Sequence, residues 1–302
     1  STPKPSSAAS DVYKRQMIIC FSGTGNSLLV ARQLQSHLGG DILMLEGRRL
    51  IEPDSELIRV PEGEPVVWVM PVYSWGIPPV VVPFLRRSKL KITPEHSTPH
   101  FLVLTCGDDT GYADHQWAKI IGRRGWNPRG SFSVIMPNTY VLMKGFDVDT
   151  PEVADAKLKA MPDRVAHIAA KISKGYGEGE MTRGSWAWFK TYIIYPWFAA
   201  FCMSPRPFHA TAACTSCSLC ARSCPLSNIT MSPSTPSISS RSSQNQEGSS
   251  VAELQLGVPG SPSTPVWGSR CALCLRCYHI CPSRAVAYGS ATASKSRKPV
   301  YR

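Results

Sequence analysis

Between Met17 and residue 180, short apolar runs alternate with amphipathic stretches. The runs Met17 to Ser22, Ile42 to Leu45, Val66 to Val72, Phe101 to Cys106 and Ser131 to Met136 have the length and β-branched content of buried strands. Ser27 to Leu38, Val80 to Arg87 and Ala113 to Arg124 lie between them as helices. Strands separated by helices predict an α/β fold, a doubly wound parallel five-stranded sheet covered on both faces. A last helix spans 151–174, where Val153, Leu158, Met161, Val165, Ile168 and Ile172 share one apolar face. Pro162 is expected to kink it.

The periodicity then breaks. Trp186, Trp188, Phe189, Tyr192, Ile193, Ile194, Tyr195, Trp197, Phe198 and Phe201 crowd a segment, 181–208, that no single apolar stripe can absorb. The expectation is a helix or pair of turns packed between two domains, since a helix apolar all round is usually buried. A peripheral membrane contact is the alternative, with Arg183 and Lys190 beside the tryptophans. Pro196 interrupts the stretch, which falls short of the ~20 apolar residues of a transmembrane segment.

The last third carries eight of the chain's eleven cysteines in two copies of one pattern: Cys214, Cys217, Cys220, Cys224-Pro225, and Cys271, Cys274, Cys277, Cys281-Pro282. The C-x2-C-x2-C-x3-C-P spacing predicts two [4Fe-4S] clusters. A tetrahedral zinc site needs four ligands, usually two Cys pairs on either side of a long loop, and two tight quartets fit it poorly. At this spacing the cysteine before proline serves the other cluster. Cluster one is therefore expected on Cys214, Cys217, Cys220 and Cys281, and cluster two on Cys271, Cys274, Cys277 and Cys224. Cys20, Cys106 and Cys202 stand alone and read as small buried residues.

Between the quartets the pentapeptide Ser-Pro-Ser-Thr-Pro occurs at 232–236 and again at 261–265 around a Ser-rich stretch. Removing one such period brings the quartets close enough to share ligands. Residues 232–264 are thus expected to be a disordered surface insert or an artefact of the sequence. Residues 1–16, Ser- and Pro-rich, read as a disordered or non-native extension with Met17 as the start. Residues 291–302 read as a basic tail.

Hydrophobic content of 43% with 18% charged residues is ordinary for a globular protein. The net charge of +12 falls mostly after residue 204. Residues 17–180 hold 18 basic and 18 acidic side chains, whereas Pro205 to Arg302 has ten Arg or Lys against Glu247 and Glu253. Two thiolate-ligated clusters at roughly −2 each offset about half of that surplus. The remainder points to a redox partner protein with an acidic docking face. Nucleic acid is disfavoured, because no stacking motif or recognition helix accompanies the charge. With no secretory leader, the compartment reads as reducing and cytoplasmic, favouring an anaerobe.

Directly after the first strand, Ser22, Gly23, Thr24, Gly25, Asn26 and Ser27 lead into a helix, so backbone N–H groups and hydroxyls converge where the helix dipole is positive. The lysine-free cradle suits a terminal phosphate and lacks the marks of a P-loop or a dinucleotide fingerprint. Two further loops, Tyr73-Ser74-Trp75-Gly76 and Cys106-Gly107 through Gly111-Tyr112, leave the carboxyl ends of strands, where a doubly wound sheet binds ligands. Their aromatic and glycine residues can sandwich a flat ring, although Trp75 and Tyr112 also suit ordinary rim positions.

On these motifs residues 17–180 resemble flavodoxin and residues 209–290 resemble a bacterial two-cluster ferredoxin, a small α+β domain. Together they resemble the flavodoxin-ferredoxin fusion proteins of anaerobic bacteria and archaea. The resemblance implies FMN, with Ser22, Thr24, Asn26 and Ser27 on its phosphate, Tyr73, Trp75 and Gly76 along the ring, and Gly107, Gly111 and Tyr112 on the other side. Gly76 is expected to turn its peptide carbonyl toward the reduced ring. The implied function is an electron-transfer protein passing electrons between two [4Fe-4S] clusters and FMN, converting one-electron and two-electron transfer. A flavin- and iron-sulfur-dependent oxidoreductase acting on a quinone or nitro compound is the rival, with Asp108, Asp109 and His115 as proton donors. A sensor or scaffold without electron transfer leaves the flavin loops without a task.

Overall fold

The computed structural model describes residues 16–94, 96–175, 177–233 and 263–301. Five parallel strands form the first sheet: β1 (Met17–Cys20), β2 (Asp41–Met44), β4 (Val66–Pro71), β6 (Pro99–Cys106) and β7 (Asn127–Ile135). Their order is β2-β1-β4-β6-β7, and a separate pair is made by β3 (Leu57–Arg59) and β5 (Lys89–Lys91). Side chains alternate across each strand, so successive residues feed two cores. Ile19, Trp68, Met70, Leu102 and Leu104 pack with α3 (Val82–Arg87) and α4 (Ala113–Gly122), with α2 (Arg48–Ile51) at the edge. Ile18, Val67, Val69, Phe101 and Val103 face α1 (Asn26–Leu38) and α5 (Pro151–Ser173). Thr150 caps α5, its hydroxyl accepting from Val153 N–H, and Pro151 occupies the first helical position.

The extension expected over 1–16 is one residue too long. Gln16 is buried and its carbonyl accepts the Asp41 N–H at 3.0 Å, which starts the β1–β2 pairing. The remainder of that expectation, residues 1–15, lies outside the described residues.

The aromatic segment is a helical run, α6 (Ala187–Phe189), a π-type turn (Lys190–Ile194), α7 (Tyr195–Trp197) and a second π-type turn (Phe198–Cys202). The expected burial holds for one side only: Ala187, Thr191 and Phe198 are covered, whereas Trp186, Trp188, Phe189, Tyr192, Ile193, Trp197 and Phe201 are exposed. Contacts from the inner side explain the orientation. Tyr195 Oη donates to the Ile77 carbonyl at 2.7 Å and Lys190 pairs with Asp109 at 2.8 Å. No helix among the described residues is long and apolar enough to cross a membrane.

The cysteine-rich half is built from two antiparallel pairs, β8 (Phe208–Ala210) with β11 (Val286–Tyr288) and β9 (Ile229–Pro233) with β10 (Ser263–Trp267), plus α8 (Leu219–Arg222) and α9 (Arg276–Ile280). Its core of Phe208, Ile229, Leu273, Tyr278 and Val286 extends onto Val141 and Leu142 of the first domain. The insert boundaries of 232–264 need correction. Ser232 pairs with Thr264 and Pro233 with Ser263 inside a hairpin ladder, and Ser263 is anchored by exchange of hydrogen bonds with Ser216 Oγ. Residues 234–262 lie outside the described residues.

Residues 291–301 are not a loose basic tail. Thr292 and Lys298 are buried, and Arg297 donates to the carbonyls of Arg284 and Val286. The segment then returns to the first domain.

Two histidines are buried in neutral form. His100 stacks on Trp126 with ring centroids 5.1 Å apart, and its Nδ1 accepts from Trp68 Nε1 at 3.0 Å. His279 donates from Nε2 to the Thr139 carbonyl at 2.9 Å while Nδ1 accepts the Lys298 N–H. Burial first, then Arg124 for His100, pushes its pKa from 6.5 down to about 4. His279 is also pushed to about 4, again chiefly by burial. The unfolded chain therefore binds more protons than the native one between these values. Stability present above pH 6.5 should fall as pH drops toward 4, by roughly 1.4 kcal/mol per pH unit per group. Denaturant unfolding as a function of pH should show this slope, and His100→Asn should reduce it.

Candidate functional site

A cavity of about 430 Å³ opens at the carboxyl edge of the sheet. Its walls come from four loops of the first domain, from the helical run through Ile194, Trp197, Phe198 and Cys202, and from Leu273, Cys274 and Leu275 of the cysteine-rich half. In an open parallel sheet this edge, at the point where strand order reverses, is where ligands bind. Here β1 lies between β2 and β4, and the reversal falls beside the loop that follows β1.

That loop brings Ser22, Gly23, Thr24, Asn26 and Ser27 to the cavity; Gly25 does not line it. Ser22 Oγ accepts from the N–H groups of Gly25 and Leu28 at 3.2 and 3.3 Å, closing the turn. Gly25 takes a φ of 103°, where an L side chain is strained, and a Cβ there would collide with the Tyr301 backbone. Ser27 Oγ bonds Thr105 Oγ1 at 2.7 Å, tying the loop to β6. The N–H groups of Gly23, Thr24, Asn26 and Ser27 have no hydrogen-bond partner among the described residues. Unspent donors at the start of a 13-residue helix make an anion cradle.

The second loop is a tight hairpin. Tyr73 and Gly76 exchange backbone hydrogen bonds at 2.8 and 3.0 Å around Ser74 and Trp75, whose φ values of 46° and 62° are those of a type I′ turn. Non-glycine residues pay strain in this region, and Thr191 Oγ1, donating to the Trp75 carbonyl at 2.8 Å, holds it. Tyr73, Ser74 and Trp75 line the cavity. Gly76 departs from expectation. Its carbonyl is taken by Tyr73 N–H and a Cβ would fall inside the ring of Tyr195, so it packs under the helical run and its peptide is not free to turn.

The third loop divides in the same way. Cys106, Gly107, Asp108 and Asp109 line the cavity. Gly111 instead fits against Thr191 and Trp75, and Tyr112 donates its N–H to Thr191 Oγ1 and lies under the Arg183 guanidinium. His115 packs against Tyr112 at a tilt, outside the cavity. Burial first, then Asp109 and Asp108, raises the Cys106 thiol to about 12, so it is a neutral wall group.

A fourth loop, following β7, was not anticipated. Pro137, Asn138, Thr139 and Tyr140 line the cavity with Met143 and Phe146. Asn138 Oδ1 accepts from the N–H groups of Thr139 and Tyr140, and its own N–H donates to Asp149 at 2.9 Å. The Pro-Asn step directly after the fifth strand is the signal that reveals it, because Asn favours such turns.

The eight motif cysteines fall into two groups. Cys214, Cys217, Cys220 and Cys281 surround one small cavity, and Cys224, Cys271, Cys274 and Cys277 surround another. Each half wraps its cavity with the same backbone. Ser216, Ser218 and Ser227 have φ of 55°, 58° and 50°; Leu273, Leu275 and Arg284, 57 residues on in each case, have 48°, 61° and 56°. Left-handed non-glycine residues at matching positions are strain that a bound group can offset. Among the described residues no three His, Cys, Asp or Glu close tightly enough to hold a single metal ion. Four thiols round each cavity suit a cluster better than one tetrahedral ion. Burial raises the Cys271 thiol to about 12 and also raises Cys274 and Cys277. Cys281 is also raised by burial, but the Ser283 hydroxyl, the N–H groups of Val286 and Ala285 and the nearby Arg297 outweigh this and lower it.

Residues 213–286 match the family described as the 4Fe-4S dicluster domain. That stretch is a ferredoxin-like iron-sulfur domain, a unit of electron transfer. No curated protein matches the chain. Among solved structures the Trp repressor binding protein of Bacillus subtilis aligns with a TM-score of 0.34 and 11% identity, covering 51% of this chain and 96% of that one, too shallow a likeness to assign a fold.

The two halves meet at Gly23, where an added Cβ would lie 2.8 Å from Cys274 Cβ and 2.9 Å from its carbonyl oxygen. Overpacking of this kind costs about 1–3 kcal/mol. Gly23→Ala should therefore loosen the junction while both domains stay folded, read as faster amide exchange at Leu275 and Cys277 and at the loop after β1. Unchanged exchange at both places would contradict the packing described.

Proposed function

We propose that this chain is an electron-transfer protein that passes electrons between two [4Fe-4S] clusters and an FMN held in the shared cavity. The observation that carries this reading is that Cys274, a member of the second cysteine group, lines the same cavity as Ser22, Tyr73, Trp75 and Gly107. A cofactor seated there would adjoin cluster two without a protein layer between them.

The residues available to FMN divide by chemistry. Ser22, Thr24, Asn26 and Ser27, with the unspent N–H groups of their loop, suit the phosphate, and Tyr73 and Trp75 offer aromatic surface to the ring. FMN supplies the capacity to hold one or two electrons, whereas each cluster passes one. Around it the chain excludes water with Val72, Tyr140, Phe198 and Leu273.

Cluster one is the outer one. Among the described residues its cavity shares no lining residue with the large cavity, Cys217 is exposed, and Arg222 and Arg284 are exposed beside Cys220 and Cys281 in the chain. A partner with an acidic docking face would approach there, favoured by charge steering. A second reading, an oxidoreductase acting on a small apolar acceptor, draws on the exposed Met143, Phe146 and Trp197 at the cavity rim and on Asp108, which faces it.

Anaerobic purification followed by iron, sulfide and flavin quantification tests the reading, with about eight iron and one FMN per chain expected. Cys281→Ser, although in the second motif, should disturb the cluster of the first motif, and Cys224→Ser the cluster of the second. Electron paramagnetic resonance of the reduced variants distinguishes the clusters. Iron without flavin would reduce the first domain to a scaffold.

A further inference from the structure

Lys298 is buried, with only 8% of its surface exposed, and its Nζ donates to Asn26 Oδ1 at 2.5 Å. It has no carboxylate partner among the described residues. Asp149, whose charge acts on it, is held at 2.8 Å by Lys157. A buried ammonium needs a counter-charge, and Lys298 stands at the start of α1, the end of a helix whose dipole repels cations. Burial already pushes its pKa down to about 8. Its Nζ also lies 4.9 Å from the centroid of the Tyr301 ring, and Asn26, its hydrogen-bond partner, belongs to the loop whose N–H groups at Gly23, Thr24, Asn26 and Ser27 lack partners among the described residues. Cation and donors independently call for an anion.

The second half of the chain also sets the direction of those donors. Arg276 donates from Nε to the Gly23 carbonyl at 2.5 Å and from Nη2 to the Ser22 carbonyl at 2.7 Å, and Tyr301 N–H donates to the Thr24 carbonyl at 3.1 Å. Three successive carbonyls are thereby held by one guanidinium and one returning strand of chain. A trans peptide is planar with its N–H opposite its carbonyl, so fixing these oxygens turns the N–H groups of Gly23 and Thr24 the other way.

We propose that Lys298 is the counter-charge for the phosphate end of the flavin site, so that the site is completed by the C-terminal segment and not by the first domain alone. The inference rests on the flavin reading and deepens it. It makes phosphate recognition dependent on docking of the iron-sulfur half, and it makes Lys298 a determinant of FMN over riboflavin, which has the same ring and no phosphate.

The test uses the full chain with its clusters in place, stripped of flavin, titrated anaerobically with FMN and with riboflavin by quenching of flavin fluorescence. The wild-type chain should prefer FMN, and inorganic phosphate should compete with FMN and not with riboflavin. Lys298→Met should shrink the FMN-to-riboflavin preference by about ten- to a hundredfold, the range of a charge-assisted hydrogen bond, with riboflavin affinity and iron content unchanged. Lys298→Arg should restore most of the preference. A merely structural lysine would weaken both flavins alike, and that result would overturn the proposal, as would a Met variant that keeps the full preference. A wild-type chain that binds riboflavin as tightly as FMN would overturn the phosphate site and leave the flavin reading standing, whereas binding of neither would sink the flavin reading itself.

Discussion

The guanidinium of Arg276 is wedged between the two halves of the chain, and much of the arrangement follows from where it sits. It lies between Cys274 and Cys277, so its backbone belongs to the wrap round the small cavity of the second cysteine group. Its side chain reaches the carbonyls of Ser22 and Gly23 across the junction and that of Ser223 at 3.0 Å within the cysteine-rich half. A rigid planar fork holds these three carbonyls in fixed directions from separate nitrogens, whereas a lysine would gather all its donors on one rotating ammonium. With Glu46 3.8 Å away, the charge is partly balanced as well. The close approach at Gly23 then admits Cys274 to the cavity wall.

Around that junction, neutral and charged contacts do different work. His279, kept uncharged by burial, joins the loop after β7 to the C-terminal segment through both ring nitrogens. The basic surplus of the last third is accordingly split. Arg276, Arg297 and Lys298 are turned inward onto carbonyls and an amide, while Arg206, Arg222, Arg270 and Arg284 remain exposed. Composition alone reads all of them as surface charge for a partner.

Much of the architecture was legible because it rests on local pattern. Strand length and helix periodicity locate all five central strands, since a parallel sheet buried on both faces demands continuous apolar runs. The cysteine quartets are legible for the same reason, their spacing being fixed by the group they wrap. What failed depends on contacts distant in sequence. Gly76, Gly111 and Tyr112 sit in loops correctly placed at the sheet edge, yet the helical run covers them, and nothing near them in sequence announces Thr191 or Tyr195. Lys298 lies 272 residues from Asn26, beyond the reach of any local rule. The exposed side of the helical run was misjudged because apolar content predicts burial only when a neighbour is available to supply it.

The central claim is that cluster two and the flavin site share one cavity and exchange electrons within a single molecule. Stopped-flow mixing of the anaerobic, fully loaded chain with a one-electron donor, following cluster and flavin absorbance separately, tests it most directly. Flavin bleaching that trails cluster reduction at a rate independent of protein concentration is the predicted result. A rate proportional to protein concentration, with electrons passing only between molecules, would contradict the account.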